Sequence, residues 1–134
     1  MTSASRAHVG ASPTYRVVNC TQQRLLLEQV LLADTLGRKM RGLLGTKPTG
    51  RGQACWLTGC SSVHTLGMQY ALDLYFLDRN GRILCIQNRL NPWRLSRWVP
   101  WARQVLEVEG GWIAVAHAVV GDVLAVRVGV DRLP

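Results

Sequence analysis

The alternation of apolar and polar positions predicts a chain built mostly of strands. Two early segments, residues 15–19 and 25–32, are rich in β-branched or large apolar side chains, although the second also fits a helix. Later strands are predicted over residues 53–57, 72–78, 82–87, 104–109 and 123–130. Asn80-Gly81 separates two of these strands and supplies the two positive φ angles that a tight hairpin turn requires.

One segment has helical periodicity instead. A helix near residues 35–44 would begin after Asp34, a good N-cap, and end at Gly45 in a left-handed cap. Its apolar stripe recurs at i, i+4, i+7 and i+8, at Leu36, Met40, Leu43 and Leu44. A second, shorter helix fits residues 112–118, between two glycine-containing breaks.

These elements predict a mainly β (α+β) fold. Strands outnumber helices and do not alternate regularly with them, which favours a compact antiparallel or mixed β-barrel-like sheet of about six or seven strands with one packed helix. No repeat or linker divides residues 15–134, so they are predicted to form one domain. Residues 1–14 are small and polar and are predicted to be a disordered tail.

Composition limits the class of protein. The 134-residue chain is 48% hydrophobic and 18% charged, which is typical of a globular protein. The first fourteen residues hold no apolar core of the length that a secretory signal needs, and the longer apolar runs are too short or too interrupted to span a membrane, so we expect a soluble, cytoplasmic protein. We also expect a monomer. Without a secretory context, the four cysteines are expected to be reduced and mostly buried.

The net charge of +8 suggests weak attraction to anionic partners. It arises from fourteen Arg and two Lys against eight acidic residues, and the basic residues are spread along the chain without a run. Charge alone does not identify a nucleic-acid-binding protein, so binding to nucleic acid or to a membrane surface is not favoured.

Asp73 is the residue that most needs explanation. Both faces of its predicted strand are mostly apolar, so an ionised Asp73 requires a charge partner or several hydrogen bonds. His64 and Thr65 lie eight to nine residues upstream, and Arg41 is also eligible. A His–Asp pair could transfer a proton or bind a ligand. The alternative, which we favour, is that Asp73 accepts hydrogen bonds from backbone amides and holds a loop in place.

Glu107 is a second acidic residue within an apolar run. Together with Asp73 it could support acid/base chemistry, and His64 with either carboxylate would suit a hydrolase. An outward-facing Glu107 on a half-exposed strand is the favoured interpretation. No phosphate-binding loop, nucleophile elbow or dinucleotide motif is present in the sequence.

Cys55, Cys60 and His64 are the candidates for a metal site. Their spacing matches no usual structural zinc pattern, which favours closely paired Cys-x2-Cys units. We therefore predict neither a metal site nor a cofactor.

The least usual composition lies in residues 89–103, RLNPWRLSRWVPWAR, which interleave four Arg with three Trp. Such a loop could stack on bases or lie at a membrane interface. Since Trp is usually largely buried, the favoured interpretation is that Trp93, Trp98 and Trp101 cover one end of the barrel-like sheet while the Arg side chains face water.

Several motifs occur in a fixed order along the chain. They are RGLLG, SVHTLGMQYALDLYFLD, an Asn-Gly hairpin, a Pro-Trp-Arg loop, VLEVEGG and a terminal Gly-Asp strand. In this respect residues 24–128 resemble the domain of unknown function 192 family, also called uncharacterised protein family 0127. The resemblance implies a small, strand-rich domain with a packed helix and no established activity, often preceded by a signal peptide.

The family's central motif corresponds here to His64, Thr65 and Met68, followed by Ala71-Leu72-Asp73. Leu66-Gly67 stands where aromatic residues are common in the family, and Ala71 replaces a proline. The sequence as a whole predicts a small non-catalytic binding or accessory domain. Its pocket would lie near His64, Met68 and Asp73, with Thr65 and Arg41 as further contacts, and would hold a small ligand or a protein segment.

Overall fold

The computed structural model describes residues 14–33 and 52–129. These residues form seven strands and one turn of 3₁₀ helix, so the predicted mainly β fold and the strand number are confirmed. The strands are β1 (Tyr15–Asn19), β2 (Arg24–Ala33), β3 (Ala54–Thr58), β4 (Leu72–Leu77), β5 (Ile83–Leu90), β6 (Gln104–Glu109) and β7 (Leu124–Val128).

One predicted helix lies within the described residues, and it is shorter than the sequence predicts. The segment expected to be helical over residues 112–118 contains a single 3₁₀ turn, Val115–His117. The helix predicted near residues 35–44 lies outside the described residues and stays a prediction. Of the predicted tail, Thr14 is described, and its carbonyl accepts a hydrogen bond from Gly129 N.

All seven strands belong to one mixed sheet in the order β5-β4-β6-β3-β2-β1-β7. Neighbouring strands are antiparallel except β2 and β3, which are parallel and therefore need a crossover connection through residues 34–53. Arg82 forms a bridge with Val123, so the hairpin after β4 meets the start of β7. This bridge shows that the sheet curves round towards its other edge. The sheet is not closed, however, so the predicted barrel is not formed.

Strand β4 is buried on both faces, as its sequence predicts. Leu72, Leu74 and Phe76 pack into a cluster with Met68 that we call the second core. Tyr75 and Leu77 point the other way, into a larger cluster that we call the first core, which includes Trp56, Leu106 and Leu124. Strand β4, which begins at the end of the segment from His64 to Asp73, therefore separates two hydrophobic cores.

The hairpin between β4 and β5 forms at the predicted place but not with the predicted geometry. Gly81 has a positive φ of 87°, whereas Asn80 is not among the described residues with positive φ. Asp78 O accepts from Gly81 N, and Asp78 Oδ1 accepts from the backbone N of Asn80 and of Arg82. The turn therefore has one left-handed residue, as in a type I turn followed by a glycine bulge.

A buried polar cluster joins β1 to the segment before β7. Asn19 is fully buried, and its Nδ2 donates to Asp122 Oδ2 and to His117 O, each at 2.9 Å. The same Asp122 oxygen accepts from Gln22 Nε2 and from Val119 N. The hydrogen bond from Asn19, followed by those from Val119 and Gln22, lowers the pKa of Asp122 even though burial opposes the shift.

Replacing Asn19 with alanine should lower the free energy of unfolding at neutral pH by about 1–3 kcal/mol, because Asp122 and His117 O lose a buried donor. Because the pKa of Asp122 is lowered in the folded protein, its carboxylate stabilises the fold fully at pH values above the unfolded-state pKa of about 3.9. This stabilisation is lost as the pH falls through the folded-state pKa. The difference between wild type and Asn19→Ala should therefore narrow in acid. Urea denaturation across this pH range measures it.

Asn88→Ala is the matched control, because Asn88 is exposed and its substitution should change the unfolding free energy by less than about 0.5 kcal/mol. An Asn19→Ala deficit that stays constant down to the acid transition would show that Asp122 is not the group coupled to Asn19.

Candidate functional site

Asp73 lies on the first-core face of β4 and is 4% exposed. Its Oδ1 accepts a hydrogen bond of 2.8 Å from Arg89 N, and its Oδ2 accepts one of 2.8 Å from Gly111 N. The two bonds connect β4 to the end of β5 and to the turn after β6. Both oxygens of this carboxylate therefore hold backbone amides, which is the structural role that the sequence favours.

The amide of Arg89 belongs to a β-bulge. Leu72 pairs with Leu90 and Leu74 pairs with Gln87, so two residues of β5 stand opposite Asp73 alone. Arg89 has a φ of 55°, which is unfavourable for a side chain larger than glycine. The hydrogen bond from its N–H to Asp73 stabilises this conformation. Gly111, with a φ of 81°, meets the same requirement without a side chain.

A cavity of about 410 Å³ adjoins Asp73 on this face of the sheet. Its lining residues come from β4, β5 and the turn that follows β6: Asp73, Tyr75, Ile86, Asn88, Arg89, Gly111, Ile113, Ala114, Val115 and Ala118. Burial, and secondarily the charge of Asp73, raises the pKa of Tyr75 to about 12. Tyr75 therefore remains a neutral phenol at physiological pH, able to donate a hydrogen bond.

His64 and Thr65 lie in the segment before β4, where they contact the loop after β5. His64 forms a bridge with Leu95, and its Nδ1 accepts from Leu66 N at 3.2 Å. Thr65 is fully buried; its Oγ1 donates to Asn91 O at 2.7 Å and accepts from Arg94 N at 2.9 Å. These contacts of His64 and Thr65 therefore involve a different loop from those of Asp73.

Met68 is 1% exposed and belongs to the second core. Asp73 alternates along β4 with Leu72 and Leu74 of that core, so it points to the opposite face. The structure thus does not bring Met68 and Asp73 to a common surface. Arg41, the further predicted contact, lies outside the described residues.

Glu107 is buried at 1% exposure, so the predicted outward-facing position is wrong. On β6 it pairs with Cys55 and Leu74, both of the second core, whereas Asp73 pairs with Val108 of the first core. Paired residues point to the same face of a sheet. The two carboxylates therefore lie on opposite faces, and the structure does not combine them in one acid/base site.

The cysteines do not form a metal cluster with other ligands in the described part of the chain. Residues 14–33 and 52–129 contain no group of three or more His, Cys, Asp or Glu side chains arranged to hold a metal ion. Burial, with a smaller effect from Glu107, raises the pKa of Cys60 to about 11, so this thiol stays protonated at neutral pH. Cys55 is buried, Cys60 and Cys85 are partly buried, and Cys20 is exposed; none of the four forms a disulfide.

Residues 89–103, which we call the Arg/Trp loop, differ from their predicted arrangement. Trp93, Trp98 and Trp101 are 63%, 71% and 75% exposed, so the prediction that they cover one end of the sheet is wrong. The loop is fixed through its backbone: Trp93 N donates to Thr65 O, and Val99 N donates to Ser61 O. Because these bonds position the main chain, the aromatic rings need not be buried to order it.

Sequence reasoning missed two further buried polar groups that hold loops. Glu109 Oε2 accepts from Gly52 N at 3.0 Å and from Gln53 N at 3.1 Å, and Asp122 collects the hydrogen bonds described above. The available signal was position: each acid lies beside glycine, in Glu109-Gly110 and Gly121-Asp122, where the chain turns.

The fold and these contacts define a small mixed-sheet β domain in which buried polar side chains hold the connecting loops. The chain belongs to the DUF192 family, described as uncharacterized ACR, whose sequence profile matches residues 17–126. The resemblance inferred from the ordered motifs is thereby confirmed. It is a family of uncharacterised function.

One curated protein and two solved structures are similar to this chain. A protein of Thermococcus sibiricus named "UPF0127 protein" is 27% identical over 120 residues, which cover 87% of this chain and 77% of the relative. A crystal structure from Sinorhizobium meliloti, described as a "putative transcription regulator", has a TM-score of 0.63 at 20% identity and covers 86% of this chain and 93% of its own.

A crystal structure of a protein of unknown function from Novosphingobium aromaticivorans also has a TM-score of 0.63, at 18% identity, covering 89% of this chain and 96% of its own. At these identities the two structures show a shared fold. Within residues 14–33 and 52–129, no helix is long and apolar enough to cross a membrane.

Replacing Asp73 with asparagine should lower the free energy of unfolding by about 1–3 kcal/mol, because the new amide group directs an N–H towards one of two backbone N–H donors. Chemical denaturation followed by intrinsic fluorescence measures the loss.

Asp78→Asn is the matched control. A single oxygen of Asp78 accepts both amides of the hairpin, and asparagine keeps one such oxygen. Its effect should stay within about 0.5 kcal/mol. Equal losses in the two variants would mean that Asp73 contributes charge alone and that its two-amide geometry is unimportant.

Proposed function

We propose that this protein is a small non-catalytic binding or accessory domain, and that its ligand site is the cavity beside Asp73. The observation that supports this most directly is that the buried carboxylate of Asp73 is bonded to backbone amides. Asp73 accepts hydrogen bonds from Arg89 N and Gly111 N, two residues that line the cavity. A carboxylate bonded in this way shapes a cavity rather than attacking a substrate.

The cavity has the character of a small-molecule site. Its volume of about 410 Å³ falls in the range of about 300–1,000 Å³ that ligand pockets occupy. Ile86, Ile113 and Val115 supply apolar walls. The protonated Tyr75 and the amide of Asn88 supply the few polar groups that orient a ligand. These features favour a small molecule with an apolar body and at least one hydrogen-bonding group.

A second cavity of about 570 Å³ is larger but fits this proposal less well. It lies between the ends of β2 and β3 and strand β7, and Arg79 is the ionisable residue in its lining. No candidate site residue from the described part of the chain contributes to it. The cavity beside Asp73 is large enough for a ligand and is lined by Asp73, a residue of the central motif. We assign the ligand to this cavity for these two reasons.

The hydrolase alternative, with His64 acting beside Asp73 or Glu107, stays a prediction without a specific observation in its favour. The description of the Sinorhizobium meliloti protein applies to that protein, and 20% identity extends only its fold to this chain.

An NMR screen of small aromatic and aliphatic fragments on ¹⁵N-labelled protein tests the proposal. Fragments should shift amide signals of residues 86–89 and 111–118. Ala114→Phe should weaken the best fragment about tenfold or more, since losing about 60 Å² of apolar contact is sufficient for that change.

Ala116→Phe is the control, because Ala116 is exposed on the 3₁₀ turn that follows Ala114 but does not line the cavity. Fragments that shift no signals around the cavity, or bind equally to the Ala114→Phe variant, would contradict the proposed site. Chemical conversion of a bound fragment, lost on Asp73→Asn substitution, would contradict a non-catalytic role.

A further inference from the structure

The loop after β5 presents a combination of exposed apolar and basic side chains that the cavity does not explain. We call it the Arg/Trp surface. Four of its apolar residues are between 63% and 76% exposed: Trp93, Leu95, Trp98 and Trp101. The basic residues of this loop are also exposed: Arg94, Arg97 and Arg103. A concentration of large apolar side chains on one loop indicates an interaction surface.

The backbone of this surface is held in place before any partner arrives. Ser96 N donates to Val63 O, Ser96 Oγ accepts from Val63 N, and Val99 N donates to Ser61 O. The hydroxyl of buried Thr65 adds two more hydrogen bonds: it donates to Asn91 O and accepts from Arg94 N. Presenting the Trp rings therefore requires no ordering of the main chain on binding, which lowers the entropic cost of an interaction.

Charge restricts the partner to an anionic one. No Asp or Glu occurs between Asp78 and Glu107, an interval that contains six Arg. Contacts of the arginine side chains within the loop are to neutral groups: Arg97 Nη1 lies 3.6 Å from Cys85 Sγ, and Arg103 Nη1 donates to Pro100 O. The surface therefore has cationic groups beside apolar ones, without acidic residues of its own.

We propose that the Arg/Trp surface binds the anionic face of a lipid bilayer. Trp rings are favourable at the headgroup level, and arginines next to them attract the phosphates of acidic lipids. Leu95, at 76% exposure, and Leu66, at 47%, add aliphatic groups that can enter the acyl boundary. The bridge between His64 and Leu95 places these two leucines on adjoining segments.

Other partners fit these side chains less well. Bases of single-stranded nucleic acid stack on aromatic rings and are held by arginine, but exposed leucines contribute nothing to stacking. A second copy of this chain, docked by the same surface, would bring arginines against arginines. The bilayer accounts for the aliphatic, aromatic and basic side chains together.

Vesicle flotation tests the proposal with the full chain. The protein should float with vesicles of phosphatidylcholine mixed with phosphatidylglycerol and much less with phosphatidylcholine alone, and the bound fraction should fall as salt is raised. Trp98→Ala with Trp101→Ala should weaken partitioning about tenfold or more, because two exposed indoles lose their burial at the interface. Both residues are over 70% exposed, so their removal should leave the fold intact.

Two double variants with the same net charge distinguish binding by the Arg/Trp surface from attraction by the net charge of the whole protein. Arg94→Gln with Arg97→Gln should weaken binding about tenfold or more, since a basic residue near an acidic membrane contributes about 1 kcal/mol. Arg24→Gln with Arg127→Gln, on β2 and β7, should bind nearly as the wild type does. Circular dichroism checks folding of all variants.

Three results would overturn the proposal. One is absence of flotation with the acidic vesicles at low salt. Another is an equal loss of binding in both arginine pairs. The third is binding of a single-stranded oligonucleotide that depends on Trp98 and Trp101 while acidic vesicles bind no better than neutral ones.

Discussion

The hydrogen bonds that Asp73 accepts from Arg89 N and Gly111 N are the interaction on which the arrangement around the central strand depends. β4 is buried on both faces, so a carboxylate within it must be fully bonded. Its two oxygens fix a bulge in β5 and a turn after β6, the two segments that border the cavity. A group that resembles a catalytic acid in the sequence thereby acts as the link between three parts of the fold.

Other buried polar side chains also hold loops through hydrogen bonds to the backbone. Thr65 bonds the loop after β5, Glu109 bonds the amides before β3, and Asp122 bonds the amides and side chains around the 3₁₀ turn. Each is buried and each acts on backbone outside the strands. Connecting loops are positioned by buried side chains at or near strand ends and, in the case of Thr65, in a neighbouring loop. Surfaces made from these loops, the cavity and the Arg/Trp surface, can therefore keep a fixed shape.

Periodicity and turn residues in the sequence located the strands, since strand β4 alternates between two cores and Gly81 marks the hairpin, but they left residues 25–32 open between strand and helix. They could not give the pairing of distant strands. The burial of Glu107 depends on β3 and β4 flanking β6, and the exposure of Trp98 depends on backbone bonds that tie its loop to residues 61–65. Average burial preferences gave the wrong result for both residues, since long-range contacts decide their environment.

Native-state amide hydrogen exchange in wild type and Asp73→Asn tests most directly whether Asp73 holds these two segments. The amides of Arg89 and Gly111 should exchange about tenfold faster or more, beyond the change that lower global stability imposes on the amides of β4. Unchanged protection of Arg89 and Gly111, relative to β4, would contradict the account.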